Sequence, residues 1–120
     1  MLTYGFDQEA ELRAENVTVS GFETTFDVIQ KNSPLGSVKL NVPGRHNAQN
    51  ALGAIAIGME LGMSFEDVSK GLAEFRGIDR RLQIKGEGRG IRVIDDYAHH
   101  PREIEVTLSA IKESHQGRVV

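Results

Sequence analysis

Val93-Ile94-Asp95-Asp96-Tyr97-Ala98-His99-His100-Pro101 puts two carboxylates, a phenol and two imidazoles directly behind an apolar run. Carboxylates accept hydrogen bonds from hydroxyls such as those of a ribose, and an imidazole or phenol can meet a base or a phosphate. With Ile91, Val93 and Ile94 read as a strand and Pro101 as the first helical residue, these groups fall in the intervening turn, where ligands bind in open α/β sheets. A helix N-terminus beside such a turn favours negative charge. Two further readings stand beside the ligand turn. Asp96 or His100 could cap the helix in a solvated turn, or the cluster could hold a metal, against which a tight turn counts because it splays neighbouring ligands. These residues alone assign neither His99 nor His100 as a general base.

Asn47 and Asn50 stand three apart at the start of a helical stretch, so their carboxamides can project from one face. Each carboxamide offers a donor beside an acceptor, the complement of an adenine edge, although an Asn at a helix start also serves as an N-cap. Arg45-His46 makes the cluster more polar than a cap requires. Arg80-Arg81 could form a fork for phosphate or carboxylate, or could be solvated surface. The Gly86-Glu87-Gly88-Arg89-Gly90 segment suits a hairpin; no helix follows it, and its spacing matches neither a P-loop nor a dinucleotide fingerprint.

The elements that must position these groups begin with a short strand over residues 2 to 6, followed by a polar helical turn or loop from Gln8 to Arg13. Val17 and Val19 share one face, and Phe22, Thr24, Phe26 and Val28 alternate with polar residues as in a half-buried strand. Ser33-Pro34-Leu35-Gly36 reads as a turn into Val38, Leu40 and Val42, completing an antiparallel meander. Behind Pro43-Gly44 the period becomes helical: Ala48, Ala51, Leu52, Ile55 and Met59 form one stripe that Gly62 stops. Ser64 and Asp67 open a second helix carrying Phe65, Val68, Leu72 and Phe75, ended by Gly77 and antiparallel to the first. Residues 77–81 form a linker, 82–85 and 91–94 are strands, and Ile104, Leu108 and Ile111 stripe a helix from Pro101 to about Ser114. A strand, a helix and then an apolar Gly117-Arg118-Val119-Val120 invite a parallel crossover, so a new α/β unit is expected from about residue 78.

The chain has 120 residues, enough for one modest core, and a net charge of -3 gives no global basic field for nucleic acid. It contains no cysteine, which removes disulfides and thiolate metal sites, and no bilayer-length apolar run or signal-peptide core. A cytoplasmic location is expected. The abrupt strand at Leu2 to Phe6 and the apolar end at Val119-Val120 suggest a piece of a longer chain.

Three stretches, Gly44-Arg45-His46-Asn47-Ala48-Gln49-Asn50-Ala51-Leu52, Phe75-Arg76-Gly77-Ile78-Asp79-Arg80-Arg81 and Asp95-Asp96-Tyr97-Ala98-His99-His100-Pro101-Arg102-Glu103-Ile104, together resemble the Mur ligases of peptidoglycan synthesis. Their order and separation carry the resemblance, which extends over most of the chain. It implies an α/β fold: antiparallel strands and a helix pair from the end of a P-loop ATPase domain over 1–76, then the start of a Rossmann-like C-terminal domain over 77–120. It implies an ADP-forming ligase that activates the carboxylate of UDP-N-acetylmuramate with ATP and Mg2+ to an acyl phosphate, which the amine of L-alanine attacks. Tyr97 leans toward the L-alanine-adding branch rather than the branch that recycles murein peptide, where Phe is frequent; a noncatalytic nucleotide-binding module is the alternative from another class.

By the same resemblance Asn47 and Asn50 lie at the adenine, and Arg81, Asp96 and His99 approach ATP as catalytic groups, with Arg80 and Asp95 as second choices. No G-x-x-x-x-G-K-[ST] occurs, so the P-loop lysine is outside this chain, as are the Glu and His expected to hold magnesium; no metal ligand is assigned within it. The piece alone is expected to be inactive, to expose core surface and to self-associate, with neither nucleic acid nor membrane as a partner.

Overall fold

The computed structural model describes residues 2–120. Strand β1 (Tyr4–Gly5) pairs parallel with β2 (Leu12–Ser20), which continues antiparallel into β3 (Glu23–Gln30) and β4 (Ser33–Leu40), giving a four-stranded mixed sheet in sequence order. Helices α1 (Arg45–Glu60) and α2 (Phe65–Glu74) pack on that sheet and on each other. Strands β5 (Gln83–Gly88) and β6 (Ile91–Asp95) form a separate antiparallel hairpin, and α3 (Pro101–Ser114) follows. None of the described helices is long and apolar enough to cross a membrane.

Alternation decides which face of the sheet is covered. Thr24, Phe26 and Val28 of β3 and Val38 and Leu40 of β4 point inward, meeting Ala48, Ala51, Leu52 and Ile55 of α1 and Val68 of α2. Each large side chain buried there contributes about 1.5–3 kcal/mol from the water it sheds. Thr24 lies at 0 % exposure because its hydroxyl donates to the Val42 carbonyl at 2.8 Å, which ties β3 to the segment entering α1. The Asn41 amide likewise donates to the Ala73 carbonyl, joining the end of β4 to the end of α2.

Several local expectations change. The β3–β4 hairpin turns at Lys31 and Asn32, both in the left-handed region (φ 46° and 68°), and Ser33 to Gly36 belong to β4. A two-residue turn with both central φ values positive matches the twist of its strands, and Pro34 is tolerated because β4 is an edge strand. Leu12 and Arg13 are buried at the start of β2 rather than lying in a loop. Arg13 enters the interior because Glu15 Oε1 accepts from its Nε at 2.8 Å and Asn32 Oδ1 accepts from an Nη at 3.1 Å. Helix α2 stops at Glu74, leaving Phe75 extended. The β5–β6 hairpin turns at Arg89-Gly90 alone, so Gly86 and Gly88 lie within β5. Residues 117–120 form no strand, and the second sheet has only its antiparallel pair, so the parallel crossover is not formed among the described residues.

Ser64 caps α2 by accepting from the Asp67 N–H at 3.1 Å, as its spacing suggests. At Gly58, buried in α1, an added Cβ would lie 2.6 Å from Val68 Cγ2 on α2. Alanine in a helix interior ordinarily gains about 1 kcal/mol over glycine, but this overlap with a stiff β-branched side chain outweighs that gain. Gly58→Ala is expected to destabilise the protein by about 1–3 kcal/mol, read as a lower urea midpoint; a raised midpoint would show that α1 and α2 can separate without cost.

Candidate functional site

A cleft of ≈ 950 Å³ lies between the start of α1, the 75–84 segment and the 96–107 segment. Asn47, Asn50, Arg80, Arg81, Asp96 and His99 all line it, whereas Asp95 does not. The Asp95 carboxylate lies 3.9 Å from both Arg80 Nε and Lys85 Nζ. The two adjacent aspartates are thus separated by the alternation of the chain as β6 ends.

Helix α1 begins behind Gly44, whose φ of 104° and ψ of 142° turn the chain out of Pro43, with no side-chain cap. Neither asparagine is the N-cap. Asn47 Nδ2 donates to the Pro43 carbonyl at 2.8 Å, leaving its Oδ1 without a partner among the described residues. Asn50, one turn on and exposed, makes no hydrogen bond there, so it keeps the whole donor–acceptor edge of its carboxamide.

Asp96 is committed to the protein itself. Its Oδ2 accepts from the Leu82 N–H at 2.8 Å, and its Oδ1 accepts from the Ala98 N–H at 2.8 Å and from the Thr107 hydroxyl at 3.2 Å. One carboxylate therefore gathers the linker, the turn after β6 and the second turn of α3. The Tyr97 N–H adds a bond to the Arg80 carbonyl at 2.7 Å. These bonds hold a strained segment: Arg80 and Leu82 sit at φ 61° and 49°, and left-handed backbone at a residue such as leucine costs about 1–3 kcal/mol. Arg81, between them, is exposed, and its side chain has no hydrogen bond or ion pair among the described residues. The segment presents an unused guanidinium fork to the cleft.

Arg80 has other work, its guanidinium carbon lying 4.6 Å above the Tyr97 ring centroid. Tyr97, 60 % exposed, also tilts against the His99 ring at 5.0 Å. His99 Nδ1 lies 3.0 Å from the Tyr97 carbonyl; a proton there donates to that oxygen and leaves Nε2 as the acceptor. His100 is the residue at the N-cap of α3, and Glu103 reaches back to accept from the His100 and His99 N–H groups at 3.2 and 3.3 Å. Those two N–H bonds lower the Glu103 pKa, so this contribution to stability is complete at neutral pH and is lost as pH falls below the ordinary carboxylate value of 4.5.

The walls carry Arg76, Arg80, Arg81 and Arg102 against Asp79, Asp96 and Glu103, a cationic bias within an acidic chain. No group of three or more His, Asp or Glu among the described residues is arranged to hold a metal ion. An exposed aromatic ring, the free carboxamide of Asn50 with the open Oδ1 of Asn47, and a free guanidinium along one cleft fit an adenine nucleotide better than a small ion.

Sequence reasoning missed Thr107 and Gly44. Thr107 sits between Ile104 and Leu108 of the apolar stripe, and only its partner Asp96, eleven residues away, gives it a role. Gly44 could have been suspected from Pro43-Gly44 as a turn, but not from any sign that its φ admits a neighbouring ring.

Comparison with known proteins shows two family matches: the Mur ligase middle domain over residues 1–58, and the glutamate ligase domain of Mur ligases over residues 80–120. A UDP-N-acetylmuramate–L-alanine ligase of Salinibacter ruber is 53% identical over 98% of this chain and 24% of its own length. A protein of the same name from Geotalea daltonii is 47% identical over 98% of this chain and 26% of its own. The chain spans about a quarter of the length of these curated relatives. Among solved structures, a UDP-N-acetylmuramate-alanine ligase from Thermotoga maritima superposes with a TM-score of 0.84 at 38% identity, over 93% of this chain and 26% of that one. A murein peptide ligase from Psychrobacter arcticus gives 0.59 at 34% identity, over 92% and 23%.

Proposed function

Because the chain belongs to the Mur ligase family, we propose that it supplies two walls of the ATP site of a ligase that joins L-alanine to UDP-N-acetylmuramate in peptidoglycan synthesis. The observation that carries this reading is the convergence of Asn47, Asn50, Arg81, Asp96 and His99 on one cleft from three separate segments. The choice of L-alanine over murein peptide follows the names of the relatives at 53% and 47% identity, against 34% for the murein peptide ligase.

Residues 1–76 are the end of a P-loop ATPase domain and 77–120 the start of a Rossmann-like one, which opens with the 77–81 linker leading into the strained Arg80–Leu82 segment. Asn50, with Asn47 Oδ1, reads the adenine edge, and the exposed Tyr97 ring, backed by Arg80, stands beside the base. Arg81 meets the phosphates with a two-pronged donor, His99 adds a polar group beside them, and Asp96 fixes the backbone from which Arg81 projects. In the whole ligase a carboxylate takes the terminal phosphoryl group of ATP to form an acyl phosphate; the alanine amine then displaces phosphate to form the amide. Catalysis of this kind rests on a preorganised positive field at the transferring group, and the sequence here contains no P-loop lysine to complete it.

The direct assay is phosphate release with UDP-N-acetylmuramate, L-alanine, magnesium and ATP. A ligase of the relatives' full length containing this segment turns over, and the 120-residue chain alone does not; turnover by the chain alone would overturn the claim that the cradle is indispensable. Ile91, Val93, Ile104 and Leu108 are 66, 56, 42 and 40 % exposed, so the chain alone is expected to self-associate. A strictly monomeric species in light scattering would contradict that expectation.

A further inference from the structure

His46 lies off the direct path from the carboxamides to Arg81, yet it occupies a distinctive place. Its ring and Val106 of α3 are common to the walls of the large cleft and of a second cavity of ≈ 180 Å³ beneath α3. That small cavity is completed by Gly44, Arg45, Ser109, Ala110 and Glu113. The ring stands so close to the backbone at Gly44 that an added Cβ would lie 2.7 Å from His46 Cε1 and 3.1 Å from the Ala110 Cβ. At φ 104° no larger residue is comfortable, so Gly44 leaves room for both the ring and α3. Ala110 is correspondingly the buried residue of α3, at 2 % exposure.

We propose that His46 is a positioning residue: its ring, seated on Gly44 and sharing the small cavity with Val106 and Ala110, holds α3, which also packs on β2, beside the start of α1. Through Thr107 and Asp96 the same helix holds the Arg80–Leu82 segment, so this dock sets the distance between the carboxamides of α1 and the guanidinium of Arg81. The consequence for nucleotide binding rests on the function proposed above; the dock itself does not.

The charges around the ring make the dock sensitive to pH. Burial lowers the His46 pKa from its ordinary 6.5, Glu113 of α3 and Asp96 of the preceding turn oppose that shift, and Arg81 of the linker adds to it. Arg45, on its own helix, also lines the small cavity, with its guanidinium carbon 4.8 Å above the Phe6 ring centroid. Below pH 6.5 the undocked or unfolded chain binds the proton more readily than the docked one, so docking weakens as pH falls through that range and is complete above it.

Hydrogen exchange of the 120-residue chain, diluted until light scattering shows monomer and corrected for the intrinsic pH dependence of exchange, tests this at pH 7.5 and 5.5 without any ligand. The wild-type α3 amides are expected to lose about threefold in protection at the lower pH, while the central amides of α1 hold. His46→Phe, which keeps a ring but cannot take a proton, should hold α3 at both values. His46→Ala should expose α3 about tenfold at both. Unchanged α3 protection in His46→Ala, or the wild-type pH response persisting in His46→Phe, would overturn the proposal. If His46→Ala also loosens α1, the pH response of His46→Phe decides. An ADP titration showing no binding alongside the expected exchange pattern would remove the nucleotide reading and leave the dock standing.

Discussion

Replacing Asp96 by alanine is expected to release the linker, the turn after β6 and α3 from one another and to abolish most turnover in a full-length ligase containing this segment. The carboxylate accepts from Leu82, Ala98 and Thr107, and hydrogen bonds to a charged acceptor contribute about 1.5–3 kcal/mol each. They share one group and are partly solvated, so a total local loss of about 2–4 kcal/mol is the reasonable sum. The α1–sheet core does not depend on Asp96 and should keep its stability. Asp96→Asn is nearly as damaging: whichever way the amide sits, its NH2 faces a donor, either Leu82 or the Ala98 and Thr107 pair. Thr107→Val removes only the longest bond and should cost about 1 kcal/mol. Hydrogen exchange at Leu82 and Ala98, measured beside kcat, checks the series; an Asp96→Ala protein with native protection at both would show that the carboxylate is not the strut described here.

Arg81→Ala should behave in the opposite way toward the fold and the same way toward activity. With no side-chain partner among the described residues, Arg81 contributes no contact whose loss would lower the melting temperature. In the full-length ligase, removing a guanidinium that meets the phosphates is expected to lower kcat/KM for ATP on the order of 10²–10³-fold. Arg81→Lys keeps the charge but not the planar fork, and should recover only part of that loss. Wild-type kinetics in Arg81→Ala would remove it from the site, whereas a large fall in melting temperature would reassign it to the structure. Measured together, the Asp96 and Arg81 variants separate a residue that builds the cleft from one that meets what fills it.

The parts of this architecture written in local periodicity were legible. The stripe through Ala48, Leu52 and Ile55, the Ser64 cap and the alternation of Thr24, Phe26 and Val28 each follow from residues within a turn or two of one another. Features closed by distant partners were not. Arg13 looks like surface until Glu15 and Asn32 are brought to it, and Pro34-Gly36 looks like a turn until β4 is known to be an edge. The same limit governed the cleft. Asn47, Asn50, Arg81, Asp96 and His99 could be named from motifs, but the separation of Asp95 from Asp96 comes from the end of β6, and the strut role of Asp96 from Leu82 and Thr107. Composition spoke only against a global basic field and left a local basic pocket open, because the cationic bias of the walls appears only when Arg76, Arg80, Arg81 and Arg102 converge.

One cleft, walled by α1 and by the segments flanking the β5–β6 hairpin, is expected to receive an adenine nucleotide. The most direct test is an NMR titration of the nitrogen-15-labelled 120-residue chain with ADP, following the side-chain amide signals of Asn47 and Asn50 and the Arg81 Nε–H. Saturable shifts at all three and at the Tyr97 amide, with Ser64 and the α2 cap unmoved, are the predicted result. Saturable shifts confined to another surface, or none at these groups, would contradict it.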